Sequence, residues 1–266
     1  MMNRKNNKLA LAVLVFVSLL LFSFCAGSKV VNSAVMGHWS YAGNTGPAYW
    51  HTLDPAYRIA AEGQAQSPIN INTRALSEMA APGKPVFHYI STKYELENNG
   101  HTIELIPEGE GNYITLDGTD YVLRQFHFHS PGEHQINGET FDLEVHFVHT
   151  DREGHNAVAA ILFKVGAENS TLGEIFSALE REALPAGASI KMEEPFNPAE
   201  LFDVLSPVYR YNGSLTTPPC TEGVAWSIAS PFRELSKSQL DAFQAVYKGN
   251  NRPVQDTHDR TVYRSK

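Results

Sequence analysis

Cysteine is nearly absent from this chain of 266 residues, which contains only Cys25 and Cys220. If Cys25 is removed with an export signal, Cys220 has no partner within the chain and no intramolecular disulfide can form. The stability of the domain must then come from a hydrophobic core, which a chain of this length is large enough to bury. Internal repeats and low-complexity segments are also absent, which excludes repeat, fibrous and disordered architectures.

Positive charge is scarce, because 21 lysines and arginines stand against 29 aspartates and glutamates, for a formal net charge of -8. Arg4, Lys5 and Lys8 lie within residues 1–25, which contain no acidic residue. Removal of that segment takes away three positive charges and changes the net charge from -8 to -11. A domain this acidic is a poor partner for nucleic acid, and we expect no nucleic-acid partner.

A long hydrophobic run occurs once, over residues 9–27, directly after these basic residues. A basic segment, an apolar segment and small residues in that order are typical of a secretory signal peptide. We therefore interpret residues 1–25 as a signal peptide, with a cleavage site between 25 and 34. Residues 36–266 then form the mature domain, periplasmic or secreted, with no stable membrane span after signal cleavage. The alternatives are an uncleaved anchor, since the run is nearly long enough to span a bilayer, and lipidation at Cys25.

Alternation of apolar and polar residues with a period of two dominates the rest of the chain and predicts strands. The predicted strands cover 101–106, 113–116, 121–129, 141–149 and 224–228. The nearly continuous apolar run 156–166 suits a strand that is buried on both faces. Asn-Gly pairs at 99–100, 137–138 and 212–213 predict turns.

Helical patterns are few. Residues 170–184 and 236–247 carry apolar residues on one face, and each segment opens with a candidate capping box, Thr171 with Glu174 and Ser236 with Gln239. No linker divides the chain after residue 35. The sequence therefore predicts a mainly β (α+β) fold, a single domain around a large, mostly antiparallel central sheet with short peripheral helices.

Histidine is concentrated in one short segment, RQFHFHSPGEHQINGETFDLEVHFVHT, which holds five of the eleven histidines. On a strand, residues two apart point to the same side, so His127 and His129 project together. His146 lies on the next predicted strand, and the connection contains Pro131-Gly132, so the two strands can pair as antiparallel neighbours. Three neutral imidazoles would then converge around one open position, which is the ligand set of a catalytic zinc site.

Two polar side chains lie on the same strand faces as these histidines. Gln125 precedes His127 by two residues, and Glu144 precedes His146 by two. Each can accept a hydrogen bond from the imidazole nitrogen that faces away from a metal, and so fix the tautomer of the ring. The other two histidines of the segment are interpreted as structural, because three ligands complete the protein's share of a tetrahedral site.

Eight motifs, in order along the chain, resemble the alpha-class carbonic anhydrases of the exported bacterial type. Within about residues 38–255 they read HWSY, QSPINI, NNGHTIEL, QFHFHSPGEH, LEVHFVH, ILFKVG, SLTTPPCTEGVAW and NNRPVQ. Each motif alone is of modest specificity, whereas the ordered set is highly specific. The resemblance implies a Zn2+ enzyme that reversibly hydrates carbon dioxide to bicarbonate and a proton; this family is itself the reference example of a three-histidine catalytic zinc site.

The resemblance implies a role for five residues at the reaction centre. His127, His129 and His146 match the zinc ligands. Thr216 matches the residue that accepts a hydrogen bond from zinc-bound hydroxide before the hydroxide attacks carbon dioxide. Glu133 matches the carboxylate that accepts the hydrogen bond of the threonine hydroxyl and thereby orients it.

The resemblance also implies the surroundings of that centre. His101 matches the shuttle that carries the proton to buffer, a task suited to histidine because its pKa lies near ambient pH. The positions that match the substrate pocket are Val148, Val158, Leu215, Thr217 and Trp226, and those that match the water network are Tyr41 and Asn99.

One feature departs from the family pattern. Exported bacterial members usually carry a second cysteine upstream of QSPI, which bridges the cysteine after TTPP. Here the corresponding stretch, YRIAAEGQA, has Ala60 and Ala61 and no cysteine. The family disulfide is therefore expected to be missing, with Cys220 as a free thiol.

Two rival functions stay open at this point. The first is another zinc hydrolase that acts mainly on esters, since zinc-bound hydroxide beside an apolar pocket would permit ester hydrolysis as a side activity. A non-catalytic binding domain of the same fold is the other rival, although such relatives typically lack one or more ligand histidines, and all three are present here. The substrate class is a small molecule, carbon dioxide or bicarbonate. The sequence sets no oligomeric state, and a homodimer is compatible with it.

Overall fold

The computed structural model describes residues 38–77, 82–181, 183–203 and 205–265. The predicted signal peptide, residues 1–25, lies outside the described residues. Within the described ranges, no helix is long and apolar enough to cross a membrane.

Strands form most of the regular structure in the described part of the chain. The strands are β1 (Asn70–Ile71), β2 (Val86–His88), β3 (Tyr94–Asn98), β4 (Ile103–Pro107), β5 (Tyr113–Leu116), β6 (Thr119–His129), β7 (Gln135–Ile136), β8 (Leu143–Thr150), β9 (Asn156–Val165), β10 (Ser189–Lys191), β11 (Val208–Ser214), β12 (Glu222–Ala229), β13 (Arg233–Leu235) and β14 (Tyr263–Ser265). The α-helices are α1 (Trp50–Leu53), α2 (Ile59–Glu62), α3 (Gly173–Arg181) and α4 (Lys237–Gln244). Short 3-10 turns lie at Gly43–Thr45, Pro55–Tyr57, Ser170–Leu172 and Pro198–Leu201.

A 12-stranded sheet is the frame of the domain, with the main strand order β10-β3-β4-β6-β8-β9-β12-β11-β14. Strand β5 pairs with β6 and β2, and β13 pairs with β9. Within this sheet the pairing is antiparallel except where β9 runs parallel to β12 and β13. Strands β1 and β7 form a separate parallel pair. The predicted fold class, a mainly β domain around a mostly antiparallel sheet, is confirmed.

The two faces of the sheet bury different residues. Phe126 and Phe128 point into the larger hydrophobic core, to which α3 contributes Phe176 and α4 contributes Phe243. Because side chains alternate along β6, the histidines between and after these phenylalanines project from the other face. A second apolar cluster lies there, built around Trp226. Strand β9 is buried along most of its length, as its continuous apolar run predicted.

The Asn-Gly pairs behave differently from one another. Asn137 and Gly138 both have positive φ, 54° and 81°, and make the predicted turn. The turn predicted at 212–213 is wrong, because both residues lie within β11. Glycine is needed there because the Ser67 side chain packs directly against the strand: a Cβ at Gly213 would lie 2.1 Å from Ser67 Oγ.

One of the two predicted capping boxes is present at a helix start, and the other is not. Ser236 and Gln239 form the predicted capping box at the start of α4. The capping box predicted at Thr171 is wrong, because the preceding 3-10 turn is capped instead by the Asn169 side chain, which accepts a hydrogen bond from the main chain of Leu172. Gln239 also hydrogen-bonds the main-chain N–H and C=O of Asn169, so α4 decides where this helical segment begins.

Candidate active site

Strands β6 and β8 bring three histidines to one point. Their antiparallel register places His127 directly opposite His146, and His129 lies two residues further along the same face of β6. The ring centroids of the three histidines are 4.6 to 5.2 Å apart. One ring nitrogen from each lies within 4.8 Å of the other two. The structure therefore brings together the three residues that the sequence predicts as metal ligands.

Each of these rings uses its other nitrogen in a hydrogen bond. The bonds join His127 Nδ1 to Gln125 Oε1 at 2.8 Å, His129 Nδ1 to Asn250 O at 2.7 Å, and His146 Nε2 to Glu144 Oε1 at 2.7 Å. His129 Nε2 is buried and has no hydrogen-bond partner among the described residues. A buried ring nitrogen without a partner, beside two further inward-facing ring nitrogens, fits a Zn2+ ion with three imidazole ligands.

Burial keeps these imidazoles neutral. It lowers the pKa of His127 well below the usual histidine value, and the neighbouring His129 and His146 lower it further. Burial lowers the pKa of His129 to about 4. Burial also lowers the pKa of His146, although Glu144 opposes this. Since a histidine binds a metal through a deprotonated nitrogen, the site presents its ligands in the binding form at neutral pH.

Glu144 connects the histidine cluster to the loop that follows β6. Its Oε1 contacts the rings of His146 and His134 at 2.7 and 2.6 Å. Its Oε2 accepts hydrogen bonds from the main-chain N–H groups of Glu133 and His134, each at 2.7 Å. Burial opposes ionisation, but His134 and His146 outweigh it and hold the pKa of Glu144 well below its usual value. His134 also contacts Tyr211 Oη at 2.6 Å, which is the structural role expected of this histidine.

Glu133 is a buried carboxylate beside the cluster. Its Oε1 accepts a hydrogen bond from the main-chain N–H of Arg252 at 2.7 Å. Its Oε2 lies 3.9 Å from His146 Nε2 and makes no hydrogen bond of good geometry within the described chain. Burial raises the pKa of Glu133 to about 7, and the nearby Thr216 side chain acts in the opposite direction. The two residues predicted to orient the nucleophile are therefore neighbours.

A cavity of about 230 Å³ opens beside the histidines. It contains all five residues predicted for the substrate pocket, and its lining is Gln125, His127, His146, Val148, Asn156, Val158, Leu215, Thr216, Thr217 and Trp226. Val148 and Val158 are direct neighbours across β8 and β9. The cavity is many times larger than the roughly 10–15 Å³ that one water requires on the same measure. It can therefore admit a small apolar molecule next to the cluster.

A second, smaller cavity of about 90 Å³ also borders the cluster and contains Tyr41, Asn99 and His101 together with His127. The His101 ring stacks on Trp39, with centroids 3.7 Å apart and planes 9° apart. Asn99 Oδ1 accepts the main-chain N–H of His101 at 2.9 Å and so shapes the turn that presents this histidine. Burial and the charge of His38 lower the pKa of His101.

Comparison with known proteins agrees with this arrangement. A profile of the eukaryotic-type carbonic anhydrase family matches residues 45–266. The chain belongs to the eukaryotic-type, or alpha, carbonic anhydrase family. It is an enzyme of this class, and the activity of the class is the hydration of carbon dioxide.

Relatives cover nearly the whole described domain. A carbonic anhydrase of Neisseria gonorrhoeae is 39% identical over 227 residues, which are 85% of this chain and 87% of that protein. The alpha carbonic anhydrase of Thermovibrio ammonificans, solved with the inhibitor sulfanilamide, is 38% identical with a TM-score of 0.78 and covers 85% of this chain and 99% of its own. Dioscorin, solved with ascorbate, is 30% identical with a TM-score of 0.80 and covers 86% and 98%.

Three residues of this carbonic anhydrase site have no role in the sequence predictions. Asn156 lines the larger cavity, and its spacing of two from Val158 on β9 is the signal that would have placed it there. Asn250 holds His129 through its main-chain oxygen, and its side chain accepts the N–H of Ser130 at 2.9 Å. Arg252 holds Glu133. Both Asn250 and Arg252 lie in the NNRPVQ motif. The motif contributes to the family resemblance, but it does not indicate which residues these two contact.

Cys220 forms no disulfide within the described residues of this carbonic anhydrase and is buried. It packs in a small cluster with Trp50 and Ala60, so an alanine lies in the region where family members usually have the second cysteine. Burial raises the pKa of the Cys220 thiol to about 11. Within the described residues the thiol therefore has no disulfide partner, and at neutral pH it is protonated and unreactive.

Proposed function

We propose that this carbonic anhydrase binds Zn2+ through His127, His129 and His146 and hydrates carbon dioxide reversibly at that site. The observation that carries the proposal is the convergence of three ring nitrogens within 4.8 Å, each on an imidazole whose other nitrogen is hydrogen-bonded. A zinc ion held by three imidazoles supplies hydroxide at neutral pH, an effect for which carbonic anhydrase is itself the reference case.

Thr216 and Glu133 orient the nucleophile in this proposal. Glu133 Oε1 accepts a hydrogen bond from the Arg252 N–H, which leaves Oε2 to accept a hydrogen bond from the Thr216 hydroxyl. With its proton directed at Glu133, Thr216 can act only as an acceptor toward the cavity. The attacking oxygen must then donate a hydrogen bond to the Thr216 hydroxyl oxygen and turn a lone pair toward the substrate.

The substrate lies against the apolar wall of the larger cavity. Carbon dioxide is uncharged, so it needs no ionic partner, and the paired Val148 and Val158 with Leu215 provide an apolar surface beside the cluster. Trp226 closes this wall, with its ring 4.9 Å from that of His146. Thr217 adds a polar group to the lining of this cavity, beside which water can hydrogen-bond an oxygen of the product.

His101 exports the proton in this proposal. It borders the smaller cavity that also reaches His127 and His129, and it is half-buried rather than sealed. Tyr41 and Asn99 border the same space and can order water between the cluster and His101. A histidine at this place can take a proton from the cavity water and release it to buffer.

The decisive experiment measures carbon dioxide hydration by stopped flow, before and after removal of metal with a chelator, together with zinc content and the hydrolysis of an activated ester. We expect about one zinc per chain, loss of hydration in the chelated enzyme, recovery when zinc returns, and a far lower efficiency toward the ester. Ester hydrolysis without hydration would favour the rival hydrolase, and a chain without zinc would favour the non-catalytic binder.

We also propose that the enzyme works outside the cytoplasm, because basic residues followed by an apolar run precede the domain. N-terminal sequencing of the protein recovered from the periplasm or the medium of an expressing bacterium tests this. A mature N-terminus between 26 and 35 is expected, and an intact chain that stays with the membrane would favour the anchor instead.

A further inference from the structure

Arg252 is buried in an unusual way for an arginine. Arg252 is 1% exposed. Among the described residues, no carboxylate lies within ion-pair distance of its guanidinium group. The guanidinium donates instead to Gln66 Oε1 at 2.9 Å, to Ser67 O at 2.7 Å and to Ala60 O at 2.8 Å. Burying a cation on neutral acceptors alone is costly, so this arrangement calls for a reason other than stability.

The main chain of the same residue holds Glu133. The Arg252 N–H donates to Glu133 Oε1 at 2.7 Å, while the other carboxylate oxygen is left without a good hydrogen bond in the described residues. The position of this N–H depends on the conformation of Arg252. That conformation is set by the three acceptors at residues 60–67 and by Trp50, whose ring lies 5.7 Å from the guanidinium carbon.

We infer that Arg252 is a positioning residue for Glu133. Its forked guanidinium anchors it to the 60–67 segment, and the anchored main chain occupies Oε1, so that Oε2 is kept for Thr216. This inference rests on the proposed function, because Glu133 acts on catalysis only through Thr216. Lysine retains the charge of arginine but has no planar fork, so it cannot keep three acceptors in the same geometry.

The inference predicts a particular kinetic signature for Arg252→Lys. Poor orientation of the nucleophile lowers kcat/KM for carbon dioxide, by roughly tenfold for a displacement of a fraction of an ångström. Turnover in dilute buffer depends on proton export through His101, which does not contact Arg252, so kcat should fall much less. Zinc content should remain one per chain, because Arg252 contacts none of the three ligand histidines.

A merely structural role would give a different result. A variant that is partly unfolded has fewer active molecules, and kcat and kcat/KM then fall by the same factor. Equal losses in both parameters, or loss of zinc, would overturn the inference. Arg260→Lys is the matched control: Arg260 is also tied to Gln66, through Gln66 O at 2.8 Å, but it makes no contact with Glu133, and its replacement should leave kcat/KM unchanged.

A double mutant tests whether Arg252 acts through Glu133. In a Glu133→Gln background, the further change Arg252→Lys should lower kcat/KM by less than about twofold, because the carboxylate that it positions is already absent. A loss as large as in the parent background would show that Arg252 acts by another route, and would overturn the inference.

A second variant and the activity of the unmutated enzyme distinguish failure of this inference from failure to fold and from failure of the proposed function. If Arg252→Lys does not fold, Gln66→Leu removes one of the three acceptors and should show the same signature with a smaller loss of kcat/KM; equal losses in both parameters there overturn the inference. An unmutated enzyme that fails to hydrate carbon dioxide overturns the proposed function itself. An active parent whose kcat/KM is unaffected by Arg252→Lys overturns only the role of Arg252.

Discussion

His127 and His146 face each other across the antiparallel strands β6 and β8, with ring centroids 5.2 Å apart and ring planes at 84°. Both strands lie in the middle of a 12-stranded sheet, flanked on each side by further paired strands. Histidines on such strands are held in place by the hydrogen bonds between paired strands rather than by loops. Their arrangement is therefore set before a metal binds.

Removing one ligand should abolish the metal site. His146→Ala leaves two imidazoles, which cannot keep the geometry of a three-ligand zinc site. We expect zinc and hydration activity to be lost together, as measured by metal analysis and stopped flow on the same sample. His155→Ala, at a histidine whose side chain is 63% exposed, is the control and should retain both. Normal zinc content and activity in His146→Ala would refute the ligand assignment.

Thr216→Ala should separate metal binding from catalysis. One hydrogen bond to a charged group contributes roughly 1.5–3 kcal/mol, which corresponds to a loss of kcat/KM on the order of ten- to a hundredfold. Zinc should stay bound, since Thr216 is not among the ligands. Thr261→Ala, at an exposed threonine, serves as the control. A Thr216→Ala variant as efficient as the parent would leave the threonine with a structural role only.

His101→Ala should affect proton export alone. We expect a lower kcat in dilute buffer, almost no change in kcat/KM, and recovery of kcat when imidazole is added as a substitute proton carrier. Stopped-flow measurements at several buffer concentrations provide all three readouts. An unchanged kcat in dilute buffer would mean that the proton leaves by another route.

The pH dependence of buffer-limited turnover should report the environment of His101. Burial and His38 lower its pKa, and hydration needs the neutral ring as proton acceptor. Turnover should therefore persist to more acid pH than an ordinary histidine, with a pKa of about 6.5, would permit. His38→Ala removes the neighbour that lowers this pKa, so it should move the inflection to higher pH. An inflection above 6.5 in the parent would contradict the structure.

The Cys220 thiol should be hidden in the native state. It is buried, and burial raises its pKa to about 11, so an aromatic disulfide reagent should not react with the native enzyme at pH 8. After denaturation, the processed enzyme should react with one equivalent, provided that the signal is cleaved after Cys25. A blocked thiol under denaturing conditions would indicate pairing between chains, and two thiols would indicate a retained Cys25.

Asn250→Ala should destabilise the fold around the site. The Asn250 side chain is buried, accepts the Ser130 N–H at 2.9 Å and donates to Phe128 O at 2.9 Å. Leaving buried main-chain groups without partners costs about 1–3 kcal/mol of unfolding free energy. Urea denaturation measures the change, and Asn212→Ala, at an exposed position, is the control. Equal stability of the two variants would contradict the structure.

Much of the site could be predicted from local patterns. The period of two along 121–129 and 141–149 was enough to put Phe126 and Phe128 on one face and the histidines on the other. The same spacing paired Gln125 with His127 and Glu144 with His146, and both hydrogen bonds are present. Local patterns succeed here because the alternation of side chains is a property of the strand itself.

Other features depended on residues distant in the chain. Asn212-Gly213 reads as a turn, yet it lies in β11, because Ser67 packs against Gly213 so closely that no side chain fits. Asn169 caps the helical segment at 170 in place of Thr171, because Gln239 of α4 hydrogen-bonds its main chain. Local turn and cap preferences amount to about 1 kcal/mol, and tertiary contacts of this kind can exceed them.

By itself, the sequence determined the fold class, the three histidines that converge at the candidate metal site, the polar partners of two of them, and the absence of a disulfide partner for Cys220 among the domain's residues. Only the tertiary structure decided that Asn250 O holds His129 and that the Arg252 N–H holds Glu133, across 121 and 119 residues of chain. Both contacts use main-chain groups. Nearly every residue carries the same N–H and C=O, so residue type gives no signal of them, and only the folded chain shows which ones meet.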